Sequence, residues 1–260
     1  MGVRVLGILQ ARTSSSRLPG KVLMSILGKP MLAHQLERLR RGKSLNDIVV
    51  ATSSDPSDDS LADLCTREGV KVFRGSLSDV LNRFIQAARP FEPDVVVRLT
   101  GDCPLTDPFL IDEIVNRFVL SDLDYLSNCV PPTYPDGLDV EVVRFAALEI
   151  AAREAVLPSH REHVTPFIRK QPERFRVDNH MSAEMDRSGM RWTVDEPEDF
   201  EFVKRVYERL YPKNPAFTTY DVLALLAAEP DLAHINARYQ RNEGSKKSLE
   251  ADKQFLKKFS

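Results

Sequence analysis

The chain of 260 residues is short of cysteine, lacks any long apolar run and has no excess of one charge. Its three cysteines, Cys65, Cys103 and Cys129, are widely spaced, with no Cys-x-x-Cys pair and no zinc-ligand spacing. That argues against a disulfide framework and a structural zinc, and reduced thiols suit a cytoplasmic protein. No apolar stretch approaches the roughly 20 residues of a membrane-crossing helix, and the chain opens on a strand pattern rather than a secretion signal. Lys and Arg number 36 against 38 Asp and Glu. There is thus no basic footprint for nucleic acid or an anionic membrane, and local loops must hold any anion. Internal repeats and low-complexity segments are also missing.

What is there is concentrated in residues 3–23, VRVLGILQARTSSSRLPGKVL. Residues 3–9 form an apolar run of the length and β-branched content of a buried strand. A polar loop follows, with Arg12, Arg17 and Lys21 among Thr13, Ser14, Ser15 and Ser16, closing on Pro19-Gly20. Arg offers planar multiple donors to phosphate oxygens and Lys a compact point charge, so this loop suits a polyphosphate. Ligands of open α/β sheets lie beyond the carboxyl ends of the strands, where the loop falls. It is not a P-loop: that pattern needs Gly at Ser15 and Ser or Thr at Val22.

Further strand patterns stand at 47–52, 70–73 and 95–99. Helical patterns lie at about 29–41, after the cap-rich loop 53–57, and at about 78–89 and 108–120. Short apolar strands alternating with amphipathic helices predict an α/β fold with a mostly parallel sheet and right-handed crossovers. The second half is less regular. It reads as strands at 138–143, 174–177 and 190–194, with helices at 147–156, 160–170, 197–210 and 219–228. The lysine-rich segment 241–260 reads as a frayed helix or disordered tail. The rest, 1–240, reads as a single domain whose halves are 1–120 and 121–240.

Two carboxylates stand at predicted strand ends. Asp102, in L-T-G-D-C-P-L, shares the rim of the cationic loop and suits Mg²⁺, which takes carboxylate and phosphate oxygens and keeps several waters. Its six-residue distance from the next helix is long for a cap. Asp195, in R-W-T-V-D-E-P-E-D-F, repeats the arrangement but also reads as a helix N-cap. Asp199 reads as a solvated helix charge or structural partner. Arg98, inside VVVRL, is costly to bury unpaired and predicts an acidic partner such as Asp102.

In the loops after the second and third strands, Ser53, Arg74, Ser78 and Asp79 offer donors and acceptors to a nucleoside. Residues 128–141, N-C-V-P-P-T-Y-P-D-G-L-D-V-E, set Tyr134 among Asp136, Asp139 and Glu141 in a loop longer than a hairpin requires. A ring among carboxylates suits a polyol. Arg161 and His163, in S-H-R-E-H-V-T-P, are further candidates for sugar contact, and their spacing fits no zinc helix. His34 and Trp192 read as structural. Cys103 has no histidine near it in sequence to make it a nucleophile.

The loop from Gln10 to Lys21, Q-A-R-x-x-S-x-R-L-P-G-K, resembles that of the sugar cytidylyltransferases, which make CMP-3-deoxy-manno-octulosonate and CMP-sialic acids. Their loop reads roughly P-A-R-x-x-S-x-R-x-P-x-K. Gln10 in place of Pro, and the missing Gly-Gly of the sialic branch, point to the spore-coat-polysaccharide cytidylyltransferase-like branch. L-T-G-D-C-P-L is similar to the family's Q-G-D-E-P-L, with Cys103 in place of Glu. V-D-E-P-E-D is similar to V-D-T-P-E-D, whose first Asp is a metal ligand, and that role falls on Asp195.

The resemblance implies a Rossmann-like, glycosyltransferase-A-like fold with a nucleotide-binding half and an acceptor-binding half. It implies CTP bound by the loop residues Gln10, Ala11, Arg12, Ser14 and Lys21, with Ser53, Arg74 and Ser78 offered to the base by their place in the later loops. Arg12, Arg17, Lys21 and Asp102 would serve catalysis, with Mg²⁺ on Asp102 and Asp195 and the acceptor near Tyr134 to Glu141. The implied reaction moves CMP from CTP to a sugar or sugar-like hydroxyl, releasing pyrophosphate, for surface polysaccharide synthesis. A homodimer is a further implication. Rival readings are a glycosyltransferase of similar fold, which would carry a D-x-D motif where Asp102-Cys103-Pro104 stands, and a non-catalytic nucleotide-binding assembly protein, which would have lost Asp102 and Asp195.

Overall fold

A seven-stranded sheet forms the centre of the structure, a computed structural model that describes residues 2–241 and 245–257. Strand β1 is Val5–Gln10, and a two-residue hairpin, β2 (Ser25–Ile26) and β3 (Lys29–Pro30), follows the cationic loop. Next come α1 (Met31–Leu39), β4 (Asp47–Ser53), α2 (Asp59–Arg67), β5 (Lys71–Gly75), α3 (Val80–Ala88), β6 (Val95–Thr100) and α4 (Pro108–Val119). The second half holds β7 (Tyr125–Ser127), β8 (Glu141–Arg144), α5 (Phe145–Glu154), α6 (Pro158–His163), α7 (Pro166–Arg169) and β9 (Val177–Asn179). It closes with α8 (Pro197–Leu210), α9 (Thr219–Ala228), α10 (Asp231–His234) and α11 (Ser245–Leu256).

The strands run in the order β5-β4-β1-β6-β8-β7-β9, parallel except where β8 lies antiparallel to both β6 and β7. Period-two alternation explains why β1 is apolar throughout. Val5 and Leu9 enter a core with Leu32 and Leu36 of α1, Ile111 of α4 and Phe202 of α8, while Leu6 and Ile8 enter the opposite core with Phe84 of α3 and Leu148 of α5. Each such side chain, fully buried, contributes roughly 1.5–3 kcal/mol. The chain steps outward from β1 to β4 and β5, then returns to β6 on the other side. The order therefore switches beside β1, which opens the crevice into which the loops after β1 and β6 project.

Several predicted elements differ in the structure. Lys29-Pro30 pairs as a strand instead of opening a helix, because Leu27 and Gly28 both take positive φ in a tight turn and α1 starts only at Met31. Helix 160–170 is cut into α6 and α7 at Val164 (φ 71°), before Pro166, which has no N–H to give. Residues 190–194 form only an isolated parallel bridge: Asp136 N donates to Met190 O (2.9 Å) and Trp192 N to Asp136 O (2.6 Å), and Val194 N then turns to Asp102 O (2.8 Å), so no ladder is built. Gly137 permits this close passage; a Cβ there would lie 2.5 Å from Thr193 N, and its φ is +105°. In the lysine-rich tail, α11 docks on α6, where Asp252 accepts from Ser159 N and Oγ (2.9 and 2.5 Å). None of the described helices is long and apolar enough to cross a membrane.

Candidate active site

Lys21 stands at the centre of the site. Gly20, at φ 73°, turns the cationic loop into a short 3-10 turn that buries the Lys21 stem. Its Nζ donates to Val194 O (2.6 Å) and meets Asp195 Oδ1 at 2.9 Å and Asp102 Oδ2 at 3.4 Å. Burial alone would lower the Lys21 pKa, but the Asp102 and Asp195 carboxylates outweigh it and hold the pKa above the ordinary value. Burial likewise disfavours the charged form of Asp102, yet Lys21 and its hydrogen bonds leave its pKa below the usual range. Arg17, from the same loop, reaches Asp195 Oδ2 at 2.8 Å and Glu196 at 3.4 Å. The two strand-end carboxylates singled out in the sequence therefore meet on one ammonium.

The loop itself is clamped by a residue that the sequence did not expose. Asp58 is fully buried and accepts from Thr13 N (2.7 Å), Thr13 Oγ1 (2.8 Å), Ser53 N (3.1 Å) and Ser53 Oγ. Burial pushes its pKa up, but these donors pull it below the ordinary value. Ser53 is thus engaged inside the protein. Arg74 likewise donates to Ser53 O and Asp55 O (both 2.9 Å) and pairs with Asp59 at 2.7 Å, shaping the same loop. Ala11 is buried, with its N bonded to Ala51 O, while Ser14 is exposed on the loop.

Gln10, Arg12, Ser78 and Arg161 come together in a cleft of about 580 Å³ beside the loop, with Asp79 and Arg83. Arg83 was missed because it looked like an ordinary helical charge. In the structure it is 1% exposed, gives one bond to Ser76 O (2.7 Å), and its Nε finds no partner. Burial and then the neighbouring Arg12 push its pKa down to about 10. Two cations that repel each other at the wall of a cleft favour an anion between them. Arg161 spans the cleft to Asp79, which caps α3.

The acceptor candidates fall into two groups. Asp136 and Asp139 face Arg241, and Asp136 also takes Arg191 NH1 at 3.3 Å. Tyr134 lies beside them, its carbonyl accepting from Arg241 (3.1 Å) and its ring stacked on His180. Glu141 is elsewhere: buried, it pairs with Arg98 and accepts from Tyr125 OH (2.6 Å) and Thr165. This corrects the expected Arg98 partner from Asp102 to Glu141. His163 bonds to Ser248 of α11 (2.8 Å), and burial lowers its pKa. Asp199 is a fully buried structural partner rather than a solvated charge, as described in the Discussion.

Burial and the neighbouring Asp139 push the Asp136 carboxyl up to about 7. A carboxyl raised in the folded state stabilises fully below its unfolded pKa, and that contribution is lost as pH climbs to the folded value. Folding stability in chelator should therefore fall between about pH 4 and pH 7. In Asp136→Asn that fall should be reduced, as read from urea midpoints across the range. An unchanged slope would show that Asp136 does not carry the effect.

A parallel sheet with a cationic loop at its switch point, facing two carboxylates and a cationic cleft, defines a nucleotide-handling α/β enzyme. Sequence comparison makes this specific. The cytidylyltransferase family profile matches residues 6–220. The chain is 38% identical over 240 residues to an uncharacterised protein of Methanocaldococcus jannaschii, covering 92% of this chain and 97% of the relative. It is 35% identical over 237 residues to the spore coat polysaccharide biosynthesis protein SpsF of Bacillus subtilis, covering 88% and 96%. A solved cytidylyltransferase from Leptospira borgpetersenii superposes with a TM-score of 0.86 at 32% identity, covering 92% of this chain and all of that one. The chain belongs to the cytidylyltransferase family of nucleotidyltransferases.

Proposed function

We propose that the protein transfers CMP from CTP to a hydroxyl of a sugar or sugar-like acceptor, releasing pyrophosphate, in surface polysaccharide synthesis. The observation that carries this reading is the meeting of Asp102 and Asp195 on Lys21, with Arg17 from the same loop at Asp195. The name of the Bacillus relative supports a polysaccharide destination.

Mg²⁺ fits the donor set. Both carboxylates are hard oxygen ligands, the kind Mg²⁺ takes, and two of them leave most of its positions open. An ion at Asp102 and Asp195 would complete its shell with water and phosphate oxygens, which suits Mg²⁺. When bound, it would neutralise charge on the reacting phosphates.

The chain's own residues do the positioning. Arg12 and Arg83 line the anion-favouring wall of the cleft, and Gln10, Ser78 and Arg161 lie along it for the nucleoside. Lys21 and Arg17 hold positive charge where charge builds on the departing pyrophosphate oxygens. Tyr134, Asp136 and Asp139 present hydroxyl and carboxylate groups to a polyol.

Incubation with CTP, Mg²⁺ and a panel of sugars and sugar acids, followed by phosphorus NMR, tests the reading. Acceptor-dependent appearance of pyrophosphate together with a CMP phosphodiester is expected. Turnover of a nucleotide-sugar, without use of CTP, would replace this reading with the glycosyltransferase one.

A further inference from the structure

We infer that α11 is a positioning element for the nucleotide cleft, acting through Asp252; the inference rests on the cleft being the CTP site. Helix α6 supplies Pro158, Arg161 and Glu162 to the cleft wall. It is six residues long, too short to be stable on its own, and it ends on Val164 at φ 71° and ψ −56°, a strained γ-turn closed by Thr165 N on His163 O (2.8 Å). Ser159 is its only buried residue. The partner covering Ser159 is Asp252 of α11, which takes both its N–H (2.9 Å) and its hydroxyl (2.5 Å). Both residues are less than 10% exposed. Ser248, one α11 turn earlier, bonds His163 (2.8 Å) and Glu162 (2.9 Å).

The effect crosses the cleft. Arg161 donates to Ala152 O (2.7 Å) and grips Asp79 with Nε at 3.0 Å and with its terminal nitrogen. Asp79 in turn caps α3, the helix that carries Arg83. Asp252 thus holds Ser159 of α6, and Arg161 of the same helix holds Asp79 at the start of the helix that carries the buried cation of the cleft. Residues 245–256 lie beyond the span matched by the family profile.

Calorimetric titration of the full-length protein with CTP and Mg²⁺ tests this. Asp252→Ala should weaken CTP binding about tenfold, the scale of a lost buried, charge-assisted hydrogen bond. Asp252→Asn, which keeps an accepting oxygen, should recover much of the loss. In an Arg161→Ala background, Asp252→Ala should cost less than it does alone, because the Arg161–Asp79 link to the cleft is already cut. Unchanged binding in Asp252→Ala, or losses that simply add with Arg161→Ala, would overturn the inference alone. Wild-type protein that fails to bind CTP, or binds it equally well after Arg12→Ala, would overturn the nucleotide reading of the cleft, and this inference with it.

Discussion

Lys21→Ala is expected to lower nucleotidyl transfer by about 10³-fold, the scale seen when one preorganised charge donor is removed from a transition-state site. Three acceptors converge on this ammonium, Val194 O, Asp195 and Asp102, and a water filling its place would bring no positive charge. The raised pKa keeps it charged throughout the neutral range. Arg should not rescue, since a planar guanidinium is larger than the place an ammonium fills and cannot point three donors inward. The variant should also lose thermal stability in chelator, because two neighbouring carboxylates are left without their shared cation. Added Mg²⁺ should restore part of that loss by supplying another counter-ion. The checks are the rate of pyrophosphate release with an accepted sugar, and melting temperature with and without Mg²⁺. A rate within about threefold of wild type would remove Lys21 from the reaction centre.

Arg191→Met is expected to cost about 3–5 kcal/mol of folding free energy, the usual result of breaking a buried ion pair from one side. Arg191 meets the fully buried Asp199 through a fork, Nε to Oδ1 at 2.9 Å and a terminal nitrogen to Oδ2 at 2.8 Å. Asp199 also accepts from Asp195 N (3.0 Å), Glu196 N (2.9 Å) and Asn236 (2.9 Å). Burial pushes its pKa up, and Arg191 with these donors brings it below the ordinary value. Removing the guanidinium strands that carboxylate and loosens the turn that presents Asp195. Urea unfolding should show a lower midpoint at unchanged slope. Arg191→Lys should stay close to Arg191→Met, because one ammonium cannot reproduce the fork. A midpoint equal to wild type would show that the backbone donors and Asn236 hold Asp199 without Arg191.

The parallel half of the fold was legible because its strands are buried on both faces and its helices are amphipathic. α8 and α9 were legible to the residue, since Pro197 and the Thr218–Asp221 capping box mark their starts. Asp102 and Asp195 could be picked out because each follows an apolar run and precedes a proline. Asp58, Arg83, Arg191 and Arg241 could not, because their importance lies in which charges face them across the fold, and local spacing carries no such information. The same reason gave Arg98 the wrong partner. Glu141 lies opposite it in the β6–β8 register, a pairing set by an antiparallel strand that returns from far along the chain. The strand expected at 190–194 stops at one bridge because its backbone bonds first Asp136 and then Asp102, and no single strand runs alongside it.

The hydrogen bond from Val194 N to Asp102 O has a consequence for synthesis. The two carboxylates are brought side by side by this main-chain bond together with Lys21, which meets both. A chain still emerging from the ribosome carries the cationic loop and Asp102 long before Asp195 has been made. Long-range contacts of this kind also close late in folding. The nascent chain therefore lacks the pairing of Asp102 and Asp195 on Lys21 until its second half has been made.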